Sequence, residues 1–210
     1  MKIAVFGATG GTGAHIVRQG LDAGHDVIAV VRDPARLGLP PSGRLTVLAA
    51  PVTDAEAILP AVEPADAIVS GLGPRPGDQA GICSTGTATI IQAMEKAGRA
   101  RLVVISASGP YVDEGDGLLA RYVAKPLLGR LLRDGFDDLR RMEQLVRASG
   151  LQWTIMRPPR LTNRASTGRY RTAVDRNTRG IRVSRADLAT ATLRVLDDPA
   201  TAGHSIGVAN

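Results

Sequence analysis

A glycine-rich turn between an apolar strand and a helix constrains this chain more than any other feature. Residues 2–6 form an apolar run after Lys2, and the segment Gly7-Ala8-Thr9-Gly10-Gly11-Thr12-Gly13 follows directly. The first glycine of such a turn allows a sharp bend, the second lets backbone N–H groups approach a pyrophosphate, and the third lets the helix pack on the strand. A purely structural turn is the alternative, but this context predicts a dinucleotide site. Its expected contacts are Gly7, Thr9, Gly10, Gly11, Thr12 and Gly13.

Apolar runs that alternate with helical patterns predict a single α/β domain over residues 1–210. Strands are expected at 2–6, 26–31, 44–49, 66–70, 101–106 and 152–157, with a closing strand near 204–208. Helices are expected at 12–23, 54–62, 84–98, 118–132, 136–149 and 185–197. This order predicts a Rossmann-type, doubly wound and mostly parallel sheet with helices on both faces. The ligand crevice of such a sheet lies at the carboxyl ends of its strands.

Composition narrows the class of protein further. The chain has one cysteine, Cys83, so it cannot form an internal disulfide, and a buried structural thiol is the favoured interpretation. Because no apolar run approaches the roughly 20 residues of a membrane span and no secretory leader precedes the first strand, we expect a cytoplasmic protein without a membrane partner. His15, His25 and His204 are scattered, so we expect no metal site. The chain offers one dinucleotide fingerprint, so we expect no tightly bound flavin.

The net charge of +6 comes almost entirely from arginine. Nine arginines fall between Arg157 and Arg185 against a single acid, Asp175. They can decorate a solvated surface, guide an anionic cofactor or substrate, or bind nucleic acid. Tyr170 is the one aromatic residue in this stretch that could stack on bases, so no nucleic-acid partner is expected.

The residues after the second strand bear on the choice of cofactor. Arg32 comes directly after the strand, Asp33 begins a turn, and Arg36 follows it. A carboxylate at this point accepts hydrogen bonds from the ribose of NAD, whereas a basic residue pairs with the 2′-phosphate of NADP. We therefore expect Arg32, helped by Arg36, to select NADP(H). The alternative is that Asp33 faces the ribose.

Two further strand ends carry candidate site residues. Gly71, Leu72 and Gly73 follow the fourth strand and can bring backbone close to the nicotinamide half of the cofactor, although a plain loop is the alternative. Ser106 and Ser108 end the fifth strand. A hydroxyl group there can bond to a substrate carbonyl or to the carboxamide, so both serines are predicted catalytic residues and Ser106 is also a predicted cofactor contact. A serine that only satisfies its own turn is the alternative.

Several motifs together resemble a known superfamily. They are the glycine turn, Val31-Arg32-Asp33-Pro34, Val104-Ile105-Ser106-Ala107-Ser108-Gly109 and Trp153-Thr154-Ile155-Met156-Arg157-Pro158-Pro159. The chain resembles atypical short-chain dehydrogenases/reductases over nearly its whole length, within the NmrA-like branch and most of all the biliverdin-IXβ reductase/flavin reductase group. This resemblance implies NADPH on a Rossmann fold, hydride delivery to a flavin or tetrapyrrole, and Pro158 among the cofactor contacts.

The chain departs from that superfamily at its proton donor. Ordinary members carry Tyr-x-x-x-Lys, and alignment of the helix through Glu143 places Gly135 and Leu139 at those positions. Tyr122 and Lys125 stand one residue off the spacing, so a catalytic Tyr122 is the sharper hypothesis and an ordinary amphipathic segment the simpler one. That segment, 118–132, can serve as core packing, a lid or a dimer contact.

Two other positions also differ from the relatives. Biliverdin-reducing relatives tend to have histidine after the proline pair, whereas this chain has Arg160. Arginine keeps its proton at neutral pH, so Arg160 is predicted to hold an anionic group of the substrate. Pro51 stands where relatives often have an aspartate against adenine.

Two classes of function remain open. The first is an NADPH-dependent reductase of a flavin, quinone or similar conjugated acceptor, in which the cofactor supplies the chemistry and a dedicated proton donor is dispensable. The second is a non-catalytic NADP(H) sensor that binds a partner protein. For the first class we expect a small-molecule acceptor as the partner and a monomer or homodimer as the assembly.

Overall fold

The computed structural model describes residues 1–74, 80–113 and 133–210. Within these residues, eight strands form one sheet, and five α-helices cover it. The strands are β1 Lys2–Phe6, β2 Asp26–Val31, β3 Leu45–Ala49, β4 Ala67–Ser70, β5 Arg101–Ile105, β6 Gln152–Arg157, β7 Arg160–Thr162, β8 Arg171–Val174, β9 Arg182–Ser184 and β10 His204–Ala209. The helices are α1 Gly11–Asp22, α2 Ala55–Val62, α3 Ile82–Lys96, α4 Arg133–Ala148 and α5 Arg185–Leu196. A 3₁₀ turn, Pro34–Arg36, follows β2.

The strand order of the sheet is β3-β2-β1-β4-β5-β6-β10-β8. All neighbouring pairs are parallel except β10 and β8, which pair antiparallel. After β3 the chain returns across β2 and β1 to form β4. Successive strands are therefore added in opposite directions on the two sides of the β1–β4 pair. A crevice opens at such a switch point, at the carboxyl ends of the strands. The predicted fold class is confirmed.

Both faces of the sheet are buried, which explains why its central strands are continuous apolar runs. Val5 packs in a cluster with Ile16 of α1 and Leu188 of α5. Its neighbour Phe6 points to the other face and packs in a cluster with α2, α3 and α4 that includes Met142. Successive side chains of β1 therefore pack into two separate hydrophobic cores, one on each face of the sheet.

Three short strands, β7, β8 and β9, were absent from the sequence prediction. They have only three or four residues each, and each begins with an arginine. β8 is largely exposed and β7 has no buried residue, whereas two of the three residues of β9 are buried. These strands lack the apolar alternation from which a strand is predicted, so only their pairing defines them: β8 with the sheet edge, and β7 with β9. The other predicted elements that can be compared begin and end within three residues of their predicted bounds, and the predicted helix 118–132 lies outside the described residues.

Two buried carboxylates tie distant segments to helix N-termini. Asp138 of α4 accepts hydrogen bonds from the backbone N–H groups of Cys83 and Ser84, both at 3.0 Å, and so caps α3. Asp187 of α5 accepts from the hydroxyl of Ser184 and from the side-chain amide of Asn210. These contacts anchor α4 against α3, and the C-terminal residue against α5.

Asp187 also fixes the segment before β8. It accepts hydrogen bonds from the Ser166 hydroxyl at 2.7 Å and from the backbone N–H groups of Thr167 and Gly168 at 3.0 Å. Burial alone raises the pKa of Asp187, but these donors, with Asn210, lower it well below its usual range. The carboxylate is therefore a charged structural centre for the C-terminal third of the chain.

Among the helices in the described ranges, none combines the length and apolar character that a membrane crossing needs.

Candidate functional site

A cleft of about 550 Å³ opens at the carboxyl ends of β1 to β5. The glycine turn forms its floor, and the segments that follow β2, β3, β4 and β5 form its sides. Helix α4 contributes Phe136 to one wall, and the start of α5 contributes Arg185. The cleft thus occupies the position that the topology assigns to a ligand. Predicted site residues among its lining are Gly7, Thr9, Gly10, Gly11, Thr12, Arg32, Gly71, Leu72, Gly73 and Ser106.

The geometry of the turn explains two of its glycines. Gly7 has a φ of 72°, and a Cβ on it would lie 2.5 Å from the carbonyl oxygen of Gly71. A Cβ on Gly13 would overlap the carbonyl group of Gly7. Gly13 is not among the residues that line the cleft and lies behind the turn. Because it has no side chain, α1 can pack closely against Gly7. These two glycines shape the turn before any ligand arrives.

The first turn of α1 faces the cleft with the donors that a phosphate needs. Its N-cap residue is Gly10, which has no side chain to satisfy the N–H groups of the first turn. Those N–H groups have no intrahelical partners, and the helix dipole adds partial positive charge at the same point. A cofactor pyrophosphate fits this cradle, because the turn is preformed and lines the cleft.

The three charged residues of the turn after β2 differ in their surroundings. Arg32 is exposed and lines the cleft. The Asp33 side chain accepts a hydrogen bond from the backbone N–H of Ala35 at 3.0 Å and caps the 3₁₀ turn. Arg36 ends that turn, is exposed and lies outside the cleft lining.

A buried polar network lies behind Ser106. Its hydroxyl donates to Oε1 of Glu143 at 2.7 Å, and Glu143 is 2% exposed. Arg157 donates from Nε to the same oxygen at 3.1 Å and from Nη2 to Oε2 at 2.5 Å. The Arg157 guanidinium stacks 3.6 Å from the ring centre of Tyr111. Burial, with the charge of Glu143, raises the pKa of Tyr111 to about 12.

The other predicted site residues lie farther from the cleft. The backbone N–H of Ser108 donates to the carbonyl of Pro158 at 2.8 Å, and both residues are buried outside the cleft lining. Arg160 is exposed on β7, where Leu161, its neighbour, lines the cleft. Successive residues of a strand point to opposite faces, so Arg160 points away from the side that Leu161 lines. Tyr122 lies outside the described residues.

Helix α4 forms an apolar wall at the end of the cleft that contains Ser106. Gly135, Phe136 and Leu139 line the cleft there. A Cβ on Gly109 would lie 2.6 Å from Cζ of Phe136, so this glycine leaves room for the ring. Neither Gly135 nor Leu139 can transfer a proton.

Several lining residues went unpredicted. Phe136, Leu161 and Arg185 belong to segments far along the chain that tertiary packing brings to the cleft, and Val52 follows β3. The one available signal was Arg185, because it lies in the arginine-rich stretch and directly precedes a helical pattern. Cys83 also lines the cleft, although its side chain is only 1% exposed.

Within residues 1–74, 80–113 and 133–210, no group of three or more His, Cys, Asp or Glu side chains is arranged to hold a metal ion.

Residues 7–199 match a protein family described as NAD(P)H-binding. The match covers nearly all of the 210 residues, including the glycine turn and every strand of the main sheet apart from β1 and β10. The chain belongs to this NAD(P)H-binding family.

The chain is also similar to individual known proteins. The chain is 31% identical over 211 residues to the uncharacterized sugar epimerase YhfK of Bacillus subtilis (strain 168), covering 96% of this chain and 90% of YhfK. Its fold is similar to a short-chain dehydrogenase/reductase of Veillonella parvula DSM 2008 in complex with NADP, with a TM-score of 0.81, 19% identity and coverage of 100% and 94%. It is also similar to ChuY, an anaerobillin reductase of Escherichia coli O157:H7, with a TM-score of 0.77, 23% identity and coverage of 99% and 97%. The last two likenesses concern the fold.

Proposed function

We propose that this protein is an NADPH-dependent reductase that delivers hydride directly to a flat conjugated acceptor, such as a flavin or a quinone. The observation that carries the proposal is the apolar wall of Gly135, Phe136 and Leu139. The resemblance to short-chain dehydrogenases implies that two of these residues, Gly135 and Leu139, replace the tyrosine and the lysine of a proton-donating pair. An acceptor with a delocalised ring needs contact area and orientation from such a wall more than it needs a positioned acid.

In this proposal, residues along the cleft bind different parts of the cofactor and the acceptor. The N–H groups of the first turn of α1 bind the pyrophosphate, and Arg32 pairs with the 2′-phosphate, which gives the preference for NADPH. Bound NADPH supplies the hydride. Phe136 packs against the acceptor ring and excludes water from the reacting faces. The reduced acceptor then takes its proton from solvent at a heteroatom, so one hydride and one proton are consumed for each acceptor.

Two likenesses support this proposal over other chemistry in the family. The Veillonella protein is in complex with NADP, and ChuY is a reductase. For this chain, the exposed Arg32 at the mouth of the cleft and the engagement of Asp33 in its own turn both favour the phosphorylated cofactor.

A non-catalytic NADP(H) sensor is the second candidate. It is favoured by the Ser106 hydroxyl, whose proton is directed to Glu143 rather than to a ligand in the cleft. A sensor keeps the phosphate cradle and has no need of a donor at the nicotinamide end.

The deciding experiment is an anaerobic NADPH oxidation assay with a panel of flavins, quinones and linear tetrapyrroles. We expect saturable oxidation with at least one acceptor, and transfer of deuterium from only one of the two C4-deuterated NADPH stereoisomers. Phe136→Ala should raise the KM for the acceptor, while the matched exposed change Leu145→Ala on the same helix should leave it unchanged. Tight NADPH binding without turnover of any acceptor would favour the sensor.

A further inference from the structure

The Arg185 side chain crosses the first turn of α1. A Cβ on Gly11, the first residue of that helix, would lie 2.7 Å from both Cδ and Nε of Arg185. Arg185 is half-buried and lines the same cleft as the glycine turn. Its side chain therefore passes directly over the N-terminus that faces the predicted pyrophosphate position, and it can do so because residue 11 has no side chain.

The surroundings of Arg185 hold it in this position. Its Nη1 donates to Oδ1 of Asn163 at 2.6 Å. Ser184, the preceding residue, caps α5 by accepting from the backbone N–H of Asp187, and it donates back to the Asp187 carboxylate. The backbone on both sides of Arg185 is thus fixed by a buried network, which lowers the entropy lost when the guanidinium binds a ligand.

The charge of Arg185 acts on α1, and no carboxylate within the described ranges neutralises it. Among the described residues, no ion pair joins Arg185 to Asp or Glu. Burial, followed by the positive charges of Arg18 and Arg185, lowers the pKa of His15 on α1. A guanidinium and a helix N-terminus that converge at one point form an anion site, because both favour negative charge.

We propose that Arg185 binds the pyrophosphate of the dinucleotide, and that Gly11 is a glycine so that this side chain can cross the helix. In the glycine-turn motif, residue 11 is an unrestricted position between the second and third glycines. The inference rests on the NAD(P)H site of the proposed function but requires neither a preference for NADPH nor catalysis. Arg185 adds the side-chain contact that the backbone cradle lacks.

Arg185→Ala should weaken the binding of NADPH and NADH alike by about 10- to 100-fold, the range expected for a lost charge-assisted hydrogen bond. Adenosine 2′-monophosphate, which has no pyrophosphate, should bind the variant as it binds the wild type. Arg182→Ala is the matched control, since it removes the same charge from an exposed arginine three residues earlier. It should change both affinities less than twofold.

A double-mutant cycle tests the role of Gly11. Gly11→Ala should weaken dinucleotide binding in the wild type by displacing the arginine, yet have little further effect in the Arg185→Ala background. Calorimetric titration gives the affinities, thermal melting confirms folding, and Arg185→Gln replaces Arg185→Ala should that variant fail to fold. Additive effects, an equal loss in Arg182→Ala, or a loss for adenosine 2′-monophosphate would each overturn the assignment. If one of these contradicting results occurs and the wild type still oxidises NADPH, the assignment of Arg185 fails but the reductase proposal stands. If the wild type binds neither dinucleotide, both fail.

Discussion

The Ser106 hydroxyl lies 2.7 Å from Oε1 of Glu143 and donates its proton to that carboxylate. Two hydrogen bonds from Arg157 hold the carboxylate in place, so Glu143 is paired although it is 2% exposed. A serine bound in this way offers only lone pairs to the cleft. It can accept a hydrogen bond from an N–H group, such as that of a carboxamide, but it has no proton left for a substrate oxygen.

Removal of the Ser106 hydroxyl should therefore act through placement of the nicotinamide end. We expect Ser106→Ala to lower kcat/KM for NADPH about 3- to 10-fold, as the loss of one hydrogen bond predicts. Steady-state kinetics of NADPH oxidation measures this effect. Ser108→Ala is the comparison, because Ser108 is the other predicted catalytic serine and lies outside the cleft lining. A larger loss for Ser108→Ala would place the catalytic hydroxyl there.

Tyr122 is the remaining candidate for a proton donor. If the acceptor takes its proton from solvent, Tyr122→Phe should retain most of the turnover, and more than Ser106→Ala retains. The same assay across pH 6–9 measures kcat for both variants. A loss of a hundredfold or more, which corresponds to about 2.7 kcal/mol of barrier, would make Tyr122 the donor and contradict the proposed mechanism.

The Asp187 network should make stability depend on acid pH. Hydrogen bonds hold the folded pKa of Asp187 below its unfolded value, so its contribution is fully present above the unfolded pKa and is lost as pH falls from there through the folded pKa. We expect Asp187→Asn to lower the free energy of unfolding by about 2–4 kcal/mol at neutral pH, because several buried donors lose a charged acceptor. The difference from wild type should shrink on acidification.

Urea denaturation at pH 7 and pH 3 measures this difference, because pH 3 lies below the unfolded pKa of an aspartate, about 3.9. Asp198→Asn is the matched control, since Asp198 is exposed and accepts from one backbone N–H, that of Ala200. It should cost less than about 1 kcal/mol at either pH. A gap between Asp187→Asn and wild type that stays constant with pH would mean that the carboxylate's charge is unimportant.

The parts of the fold that follow from local pattern were predictable. The bounds of β1, β2 and β6 match the prediction, and the glycine turn identified the first βα unit. β1 and β2 are apolar after their first residue, and β6 has an apolar centre. β7 and β9 were not predictable, because Arg160 and Arg182 open two three-residue strands that form only by pairing with each other. Their existence depends on long-range contacts that no local pattern encodes.

The site divides in the same way. Gly7 and Arg32 could be placed because each immediately follows a predictable strand. Phe136 and Arg185 could not, because they reach the cleft only where Gly109 and Gly11 lack a Cβ and leave space for them. The hydrogen bond from Ser106 to Glu143 could not be predicted either, since the two residues are 37 positions apart in sequence.

Cofactor preference is the most direct test of the turn after β2. If Arg32 pairs with the 2′-phosphate, NADPH should bind at least about tenfold more tightly than NADH, a difference of roughly 1.4 kcal/mol. Arg32→Ala should erase most of this preference and leave NADH affinity nearly unchanged, because the contact exists only with the extra phosphate. Calorimetric titration of both cofactors measures the two affinities.

Salt and a neighbouring arginine provide the controls for this prediction. The preference should shrink as salt rises, because Arg32 is exposed and its charge is screened. Arg36→Ala should reduce the preference less than Arg32→Ala, since Arg36 lies outside the cleft lining. Equal affinities in the wild type would mean that Asp33 turns from its cap on Ala35 towards the ribose, and that the turn selects NAD instead.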